Sequence, residues 1–408
     1  MTQSQALKIL KSGENVFLTG SAGTGKTFLI NKFIGWLKDE KTKAGITAST
    51  GIAATHIGGR TIHSWAGIGI EKKLSQKKIS KILRNKKTRQ RIEEAQVLII
   101  DEISMLDADR LNLADEICKA VKNPFLPFGG IQIVMSGDFF QLPPVDKDAK
   151  FAYESSAWKE AKARVCYLDE QFRQDDSAFT GILNRIRNNE AGADEMSMLK
   201  KRLYKPINGL AKPTKLYTHN ADVDAINSYE LSRVAGEELA YKMTERGPRE
   251  LINFLKKACL APEELKLKTG AMVMFVKNNF DAGYVNGTLG VIIGFNEDNY
   301  PIVKTRSDKE IVAVSSSWEI EEDETVLAAI SQIPLRLAWA ITVHKSQGMS
   351  LDAAEIDLSR SFEYGMGYVA LSRVRTLAGM RLMGINKEAL RVDPEVLLKD
   401  LEFKNLSE

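Results

Sequence analysis

Cysteine is scarce in this chain, and the scarcity narrows its chemistry. Cys118, Cys166 and Cys259 are the three among 408 residues, far apart and in no CxxC or Cys/His spacing. A zinc site is not expected, three thiols cannot all pair, and reduced buried cysteines are the reading. No apolar run approaches the roughly 18 residues that a membrane-spanning helix needs. The N-terminal residues lack the apolar core of a secretory leader. Internal repeats and long low-complexity segments are missing too. So is an excess of one charge: 57 Lys and Arg against 53 Asp and Glu leave a net charge of +4, a weak argument for a polyanionic partner. These absences point to a soluble intracellular protein.

What is present is ordinary in bulk and uneven in distribution. The length suggests about two to three domains. Hydrophobic residues at 44% and charged residues at 27% suit a globular chain with real cores. Residues 71–91, EKKLSQKKISKILRNKKTRQR, gather ten Lys/Arg against one Glu and read as a basic helical insertion. The pattern is α/β in two regions. In the first, apolar strands are expected at 15–20, 44–50, 97–101 and 131–138, with a helix over 27–40. The runs VLIID and IQIVM are apolar throughout, as a parallel sheet covered on both faces requires. The second region starts near residue 176, takes in TKLYTHN (214–220), and resumes after about residue 326 with LAWAITVHKSQG and AAEIDLS. Short strand-like runs over 270–320, punctuated by turn residues, read as a small inserted β-barrel.

GSAGTGKT, Gly20 to Thr27, matches GxxxxGK[ST] after a strand and before a helix. Gly20, Ser21, Ala22, Gly23, Thr24 and Gly25 would wrap backbone N–H groups around phosphate oxygens at a helix N-terminus. Lys26 would reach the outer phosphates, and Thr27 would bind Mg²⁺. Downstream, VLIIDEIS ends an apolar strand in Asp101 and Glu102. Two acids there are costly unless a cation or a reaction uses them. Asp101 is the expected Mg²⁺ ligand and Glu102 the general base for an attacking water. Together these motifs argue nucleoside triphosphate hydrolysis and leave its use open.

Other segments carry alternatives. ITASTGIAATHIGGRTIHSWAGIGI (46–70) reads as a loop of small and hydroxyl residues suited to a sugar–phosphate chain, or to tight packing beside the phosphate site. His63 and Trp65 could add contacts to bases, or sit in the core. Arg173, in YLDEQFRQ, and Arg373, in YVALSRVRT, are candidates for reaching a γ-phosphate, or partners of structural carboxylates. SGDFFQLPPV (136–145) follows the strand beside the one carrying Asp101. There Gln141 can touch the γ-phosphate or the water, Phe139 and Phe140 can stack on a base or pack as core, and Pro143-Pro144 stiffens the exit.

In order, GSAGTGKT, TASTGIAATHIGGRTIHSWAGIG, DEISMLDADRL, PFGGIQIVMSGDFFQLPPV, EQFRQ, LAWAITVHKSQG and YVALSR resemble the Pif family of superfamily I DNA helicases and, more distantly, RecD-like helicases. The motifs run from Gln3 to Arg373. The resemblance implies an α/β fold of two RecA-like P-loop ATPase lobes with ATP between them. The first lobe would take 1–66 and 93–175, with a basic wedge insertion at 67–92. The second would take 176–261 and 327–408, with an SH3-like β-barrel insertion at 262–326. ATP and Mg²⁺ are the implied cofactors. By the same resemblance Gln3 reads the adenine, Gln141 senses the γ-phosphate, Arg173 and Arg373 reach across the cleft, and Gly348 contacts nucleotide and DNA. Met349-Ser350 departs from the Glu or Thr that related helicases often carry there.

The implied activity is translocation five-prime to three-prime on single-stranded DNA with duplex unwinding. Partners are single-stranded DNA and tailed or forked duplex, with G-quadruplex DNA a further candidate; no membrane is involved and the core is monomeric. The location is cytoplasmic in a bacterium, or otherwise intracellular with access to DNA. Candidate DNA contacts are Thr47, Ser49, Thr50, Gly51, His63, Phe140, Pro143, His344, Lys345 and Ser346, with Thr218 and Asn220 at another strand end. The basic 71–91 stretch touches duplex or forms a solvated face. Rival readings are a nucleotide-regulated DNA clamp that does not unwind, and an RNA helicase of the same superfamily. A small-molecule kinase leaves the second α/β region unexplained.

Overall fold

The computed structural model describes residues 1–69, 73–144, 146, 148–171, 176–207, 213–217, 220–277, 279, 281–284, 288–305, 308–322, 325–343, 346, 351 and 353–407; at a few helix and strand positions, Asn220 among them, only the backbone is described. The chain divides into two units, residues 1–212 with 343–408, and residues 213–342.

The first unit starts with α1 (Gln3–Lys11), capped by Thr2, whose hydroxyl accepts the Gln5 N–H. β1 (Val16–Gly20) follows, buried along its whole length, and leads through a glycine loop into α2 (Lys26–Asp39). β2 (Ala44–Ala48) comes next. The segment expected as a loop over 46–70 instead carries α3 (Gly51–His56), a short strand β3 (Arg60–Thr61) and α4 (Ile62–Ala66). Thr61 caps α4 by accepting the Ser64 N–H, so a hydroxyl expected to face a ligand serves the backbone. The basic stretch is helical as expected: α5 (Gln76–Arg84) and α6 (Lys86–Glu94) are anchored by buried Ile79 and Ile92. Asn85 ends the one and caps the other by accepting the Thr88 N–H at 2.8 Å.

β4 (Val97–Asp101), α7 (Ala108–Val121), β5 (Gln132–Ser136), α8 (Ser156–Ala161) and β6 (Arg164–Leu168) continue the α/β pattern, followed by α9 (Ser177–Arg187) and α10 (Ala193–Lys200). Among the described residues, six strands form one parallel sheet in the order β3-β2-β4-β5-β1-β6. Leu29, Ile30, Phe33 and Leu37 of α2 pack with Leu10 of α1 against Val16, Leu18, Ile99 and Val134 of the sheet. Apolar side chains on successive helix turns thus meet strands with no polar face to hydrate.

In the second unit, β7 (Thr214–Tyr217) leads to α11 (Asn220–Arg233), and β8 (Leu239–Lys242), β9 (Thr244–Arg246), α12 (Arg249–Ala258) and β10 (Glu264–Leu267) follow. The short runs read from the sequence appear as β11 (Met272–Phe275), β12 (Leu289–Phe295), β13 (Pro301–Thr305) and β14 (Glu310–Val312). After them come β15 (Ser316–Glu322), β16 (Thr325–Gln332), β17 (Leu335–Leu337) and β18 (Ala340–Thr342). An antiparallel five-stranded sheet runs β14-β13-β12-β11-β17 around Val273, Phe275, Ile292, Val303 and Trp339. The β15–β16 hairpin, joined by β9, was not anticipated. β18 pairs in parallel with β7. Buried Asn227 on α11 both donates to and accepts from the Ala340 backbone, at 3.1 and 3.0 Å.

Residues 343–407 return to the first unit with β19 (Ala354–Leu358), α13 (Met366–Ser372), β20 (Met380–Ile385) and α14 (Pro394–Ser407). β19 and β20 pair in parallel. Every residue of α13 is buried. α14 drives Phe403 into an aromatic cluster, with ring centroids 4.9 Å from Phe17 and 6.1 Å from Phe139 and from Trp158.

Candidate active site

Parallel pairing sets the strand ends level. Leu18 faces Ser136 and Ile100 faces Met135, so β1, β4 and β5 finish at one edge of the sheet. In open α/β sheets that carboxyl edge is where ligands bind.

The loop after β1 is held by its own atoms and by two glutamines. Gly25 caps α2 at φ 79°, a left-handed backbone suited to glycine, and turns the first amides of the helix toward the loop. Lys26 Nζ donates to the Gly20 and Ser21 carbonyls at 2.8 and 3.0 Å. The Thr24 hydroxyl donates to the Ser21 carbonyl at 3.0 Å. Gln3 Nε2 donates to the Thr24 carbonyl at 3.0 Å, so the expected adenine reader touches the loop backbone. Gln171 Nε2 donates to Ser21 Oγ. Ser21, Gly23, Gly25, Lys26 and Thr27 are half-buried, whereas Ala22 and Thr24 are buried.

Asp101 ends β4 only 4% exposed. Burial pushes its carboxyl up, opposed in part by the Lys26 charge. A cation against this carboxylate would relieve the cost of keeping it ionised. Glu102 follows at φ 51°, ψ 46°, left-handed for a residue with a Cβ, and opens the 3₁₀ turn Ile103–Met105. Such a backbone costs of order 1–3 kcal/mol and is kept where the surroundings fix it. Here Ser49 Oγ donates to the Glu102 carbonyl at 2.7 Å, tying the end of β2 to the end of β4. Gln141 is buried beyond β5, and its N–H donates to the Asp138 carbonyl at 3.0 Å. Its Oε1, like the hydroxyl of Ser104, is buried with no hydrogen-bond partner among the described residues. These orphaned atoms, the buried Asp101 carboxyl, the Thr27 hydroxyl on the first turn of α2 and the amide-lined loop fit a triphosphate with a divalent cation.

Arg373 closes α13 and is 1% exposed; its Nε donates to the Val369 carbonyl and its Nη2 to Ser372 Oγ, both at 2.8 Å. Arg173, Gly348, Thr218, His344 and Lys345 lie outside the described residues, as does the side chain of Asn220.

Several expected DNA contacts need correction. Thr47 is fully buried, with its hydroxyl committed to the Ile99 carbonyl at 2.6 Å inside the sheet. Ser346 is fully buried and bonded to the Val343 carbonyl at 2.7 Å. Phe140 is core: the Arg187 guanidinium lies 4.3 Å over its ring centroid, so that face offers nothing to a base. Phe139 joins the aromatic cluster and Trp65 is buried, so neither can stack on a base. Ser49 is 8% exposed and occupied by Glu102. Thr50 accepts the Ala53 N–H in the first turn of α3. Gly51 is exposed, with open space where a Cβ would stand. Pro143 and His63 are half-buried. Burial and the nearby Arg110 hold His63 down at about 4, with Asp107 pulling the other way, so the ring is neutral at working pH.

The sequence reading missed a buried polar chain behind the loop. Tyr368 on α13 accepts the Ala22 N–H at 2.8 Å and donates to Asp138 Oδ2 at 3.4 Å. Asp138 Oδ1 accepts the Phe140 N–H at 3.2 Å and Arg187 Nη2 at 3.3 Å. Arg187 also bonds the Tyr167 hydroxyl at 2.7 Å and Asp400 of α14 at 3.1 Å. Burial works against the Arg187 charge, but Asp138, Tyr167, Tyr368 and Asp400 outweigh it and hold the guanidinium protonated. One signal was available: Asp138 is an acid just beyond an apolar strand, as Asp101 is. Another was Arg187, which continues the apolar face of Phe179, Leu183 and Ile186.

Comparison with known proteins agrees with this geometry. The PIF1-like helicase family matches residues 3–196, and the 2B domain of DNA helicase Pif1 matches residues 250–295. The chain is similar to an ATP-dependent DNA helicase Pif1 of Psychrobacter, 44% identical across 100% of this chain and 71% of the relative. It is similar to the human ATP-dependent DNA helicase PIF1, 37% identical over 97% of this chain and 62% of that protein. The chain therefore spans under two thirds of the human relative's length. The crystal structure of Pif1 from Candida albicans superposes with a TM-score of 0.91 at 39% identity, covering 99% of this chain and 98% of that one. A Bacteroides Pif1 in complex with ADP-AlF3 and single-stranded DNA gives 0.78 at 32% identity, covering 100% and 97%. With identity this high along its whole length, and the phosphate loop and acidic strand end on one parallel-sheet edge, the chain belongs to the PIF1-like helicase family.

Proposed function

We propose that this chain is the motor core of an ATP-dependent DNA helicase that moves five-prime to three-prime on single-stranded DNA. The observation that carries the reading is the phosphate loop Gly20–Thr27 set level with buried Asp101 and strained Glu102, in a chain whose relatives are named ATP-dependent DNA helicases. Thr27 and Asp101 would hold Mg²⁺, which neutralises charge between phosphate oxygens. Lys26 leaves its carbonyl partners for the outer phosphates. Glu102 takes the proton of the attacking water, and the unpartnered Oε1 of Gln141 accepts from that water and orients it. Arg373 and Arg173 stabilise the charge that develops on the transferred phosphoryl group.

Gln3 serves the adenine, and Gly348 the nucleotide and the strand. Grip on DNA comes from phosphate contacts at strand ends, with Thr50, Gly51, His63, Pro143, Thr218, Asn220, His344 and Lys345 the candidates. The proposal keeps 1–66 with 93–175, and 176–261 with 327–408, as two RecA-like lobes that alternately hold and release the strand, a division that differs from the compact units, where 176–212 and 343–408 group with the first. It keeps 67–92 as a wedge and 262–326 as an SH3-like insertion. It also includes a monomeric core, substrates extending to G-quadruplex DNA, and an intracellular site of action. A related Pif1 structure is described as two coordinating helicases unwinding forked duplex, so sedimentation on a fork measures the monomer assignment directly.

The test is ATP hydrolysis with and without single-stranded DNA, beside Lys26→Ala. Stimulation of about tenfold, a barrier change of about 1.4 kcal/mol, is expected and should vanish in the variant. Tailed duplexes then read direction: unwinding that needs a five-prime tail supports the reading, and unwinding that needs a three-prime tail overturns the polarity. Equal hydrolysis with and without DNA, alongside stimulation by RNA, would replace the DNA motor with an RNA helicase.

A further inference from the structure

We propose that Tyr368 is a positioning residue that links occupancy of the phosphate loop to the corner carrying Gln141. The inference rests on the reading of Gly20–Thr27 as the triphosphate loop.

The geometry is specific. The Tyr368 hydroxyl is buried with its ring and stands between two groups of different character. On one side it accepts the Ala22 N–H at 2.8 Å, and Ala22 belongs to the loop whose amides are the expected phosphate ligands. On the other side it donates to Asp138 Oδ2 at 3.4 Å. A tyrosine buried only to fill space needs one partner, and a nearby helix carbonyl serves. This one instead takes up a donor that a phosphate oxygen also wants. An amide N–H supports one good acceptor, so a phosphate near Ala22 and the Tyr368 hydroxyl compete for it.

What Tyr368 does next follows from its second bond. Asp138 opens the corner that leads through Phe139 and Phe140 to Gln141. Its Oδ1 is fixed by the Phe140 N–H and by Arg187. Arg187 is itself locked by Tyr167, by Asp400 and by the Phe140 ring. Asp138 Oδ2 rests on Tyr368 at a distance long for an O–H···O bond, the weakest link of the set. A hydroxyl released by Ala22 is free to shorten that link and draw Asp138, and the corner with it, toward α13. Burial and the Asp138 charge keep the phenol protonated, so it stays a donor. The same helix touches the corner a second time. At Gly365, which caps α13 at φ 78°, a Cβ would lie 2.4 Å from the Phe140 carbonyl oxygen and 2.8 Å from that of Gln141. Arg373 closes the same helix, so one short element meets the loop, the corner and the candidate transition-state arginine.

Tyr368→Phe removes the hydroxyl and keeps the ring, and a thermal melt checks that the fold survives. Two readings are taken on wild type and variant: equilibrium affinity for an ATP analogue without DNA, and the ratio of kcat with single-stranded DNA to kcat without it. Relief of the competition predicts unchanged or severalfold tighter nucleotide binding. Loss of the link predicts a stimulation ratio lowered by about fivefold to tenfold, the effect of one hydrogen bond. A variant that responds to DNA as wild type does overturns the inference alone. So does a variant that loses nucleotide affinity and thermal stability together, since that is the pattern of a merely structural tyrosine. Wild type that neither binds the analogue nor responds to DNA overturns the reading of the loop, and the inference with it.

Discussion

Glu102 occupies a left-handed backbone, and its carbonyl is pinned by the Ser49 hydroxyl. Glu102→Gln keeps the shape and removes the base, so kcat should fall about 10²–10⁴-fold while equilibrium nucleotide binding persists. Single-turnover hydrolysis beside a binding titration checks this, and parallel losses in both would argue for a folding defect. Arg187→Met tests the buried chain: it strands Asp138 in the interior without its cation and leaves Asp400 with Lys404 alone. The expected loss is about 3–5 kcal/mol, read from the urea midpoint. His63 adds a pH dependence with a definite sign. Its folded value near 4 lies below the ordinary 6.5, so between these pH values the unfolded chain binds a proton that the folded chain refuses. Stability should therefore hold above pH 6.5 and fall as pH drops toward 4, and His63→Gln should flatten part of that slope. At this scale the phosphate loop and the two acids were legible because their chemistry needs fixed residue types at fixed spacing. The partnership of Ala22 with Tyr368, and of Asp138 with Asp400, was not. Nothing local in the sequence ties residues so far apart.

Elements explain where the reading of the DNA face failed. Ser, Thr and Gly over 46–70 looked like a ligand loop, but short helices use the same residues as caps and turns, and Thr50 and Thr61 are spent that way. Strand ends were read well because a doubly covered parallel strand must be apolar throughout. β4 matched its expected span, and α2 began one residue early. α13 was visible as an apolar helix with one arginine, yet its role depends on how closely it meets the corner. Gly365→Ala would put a methyl group against two backbone oxygens at a positive φ. We expect a lower Tm and a reduced ATP hydrolysis rate from a displaced helix. A variant as stable and active as wild type would show that α13 can back away from the corner without consequence.

For the whole molecule, a net charge of only +4 hides a local basic insertion on α5 and α6. If grip comes from phosphates, affinity for single-stranded DNA should drop steeply between about 50 and 200 mM salt, with little preference for base sequence. Fluorescence anisotropy with mixed-sequence oligonucleotides checks both, and a flat salt response would sink the electrostatic account. The interleaving of the two units was not readable from periodicity, because which strand pairs with which is decided by packing far along the chain. One consequence concerns synthesis. Residues 1–212 leave the ribosome with Arg187 lacking Asp400, Ala22 lacking Tyr368, and Phe17 and Phe139 lacking Phe403. Those partners arrive only after residues 213–342 have been translated. The nascent phosphate loop therefore waits, half assembled, for α13 to dock and for α14 to fill the interior behind it, and a product that stalls in the second unit carries the nucleotide motif without the interior that holds it in shape.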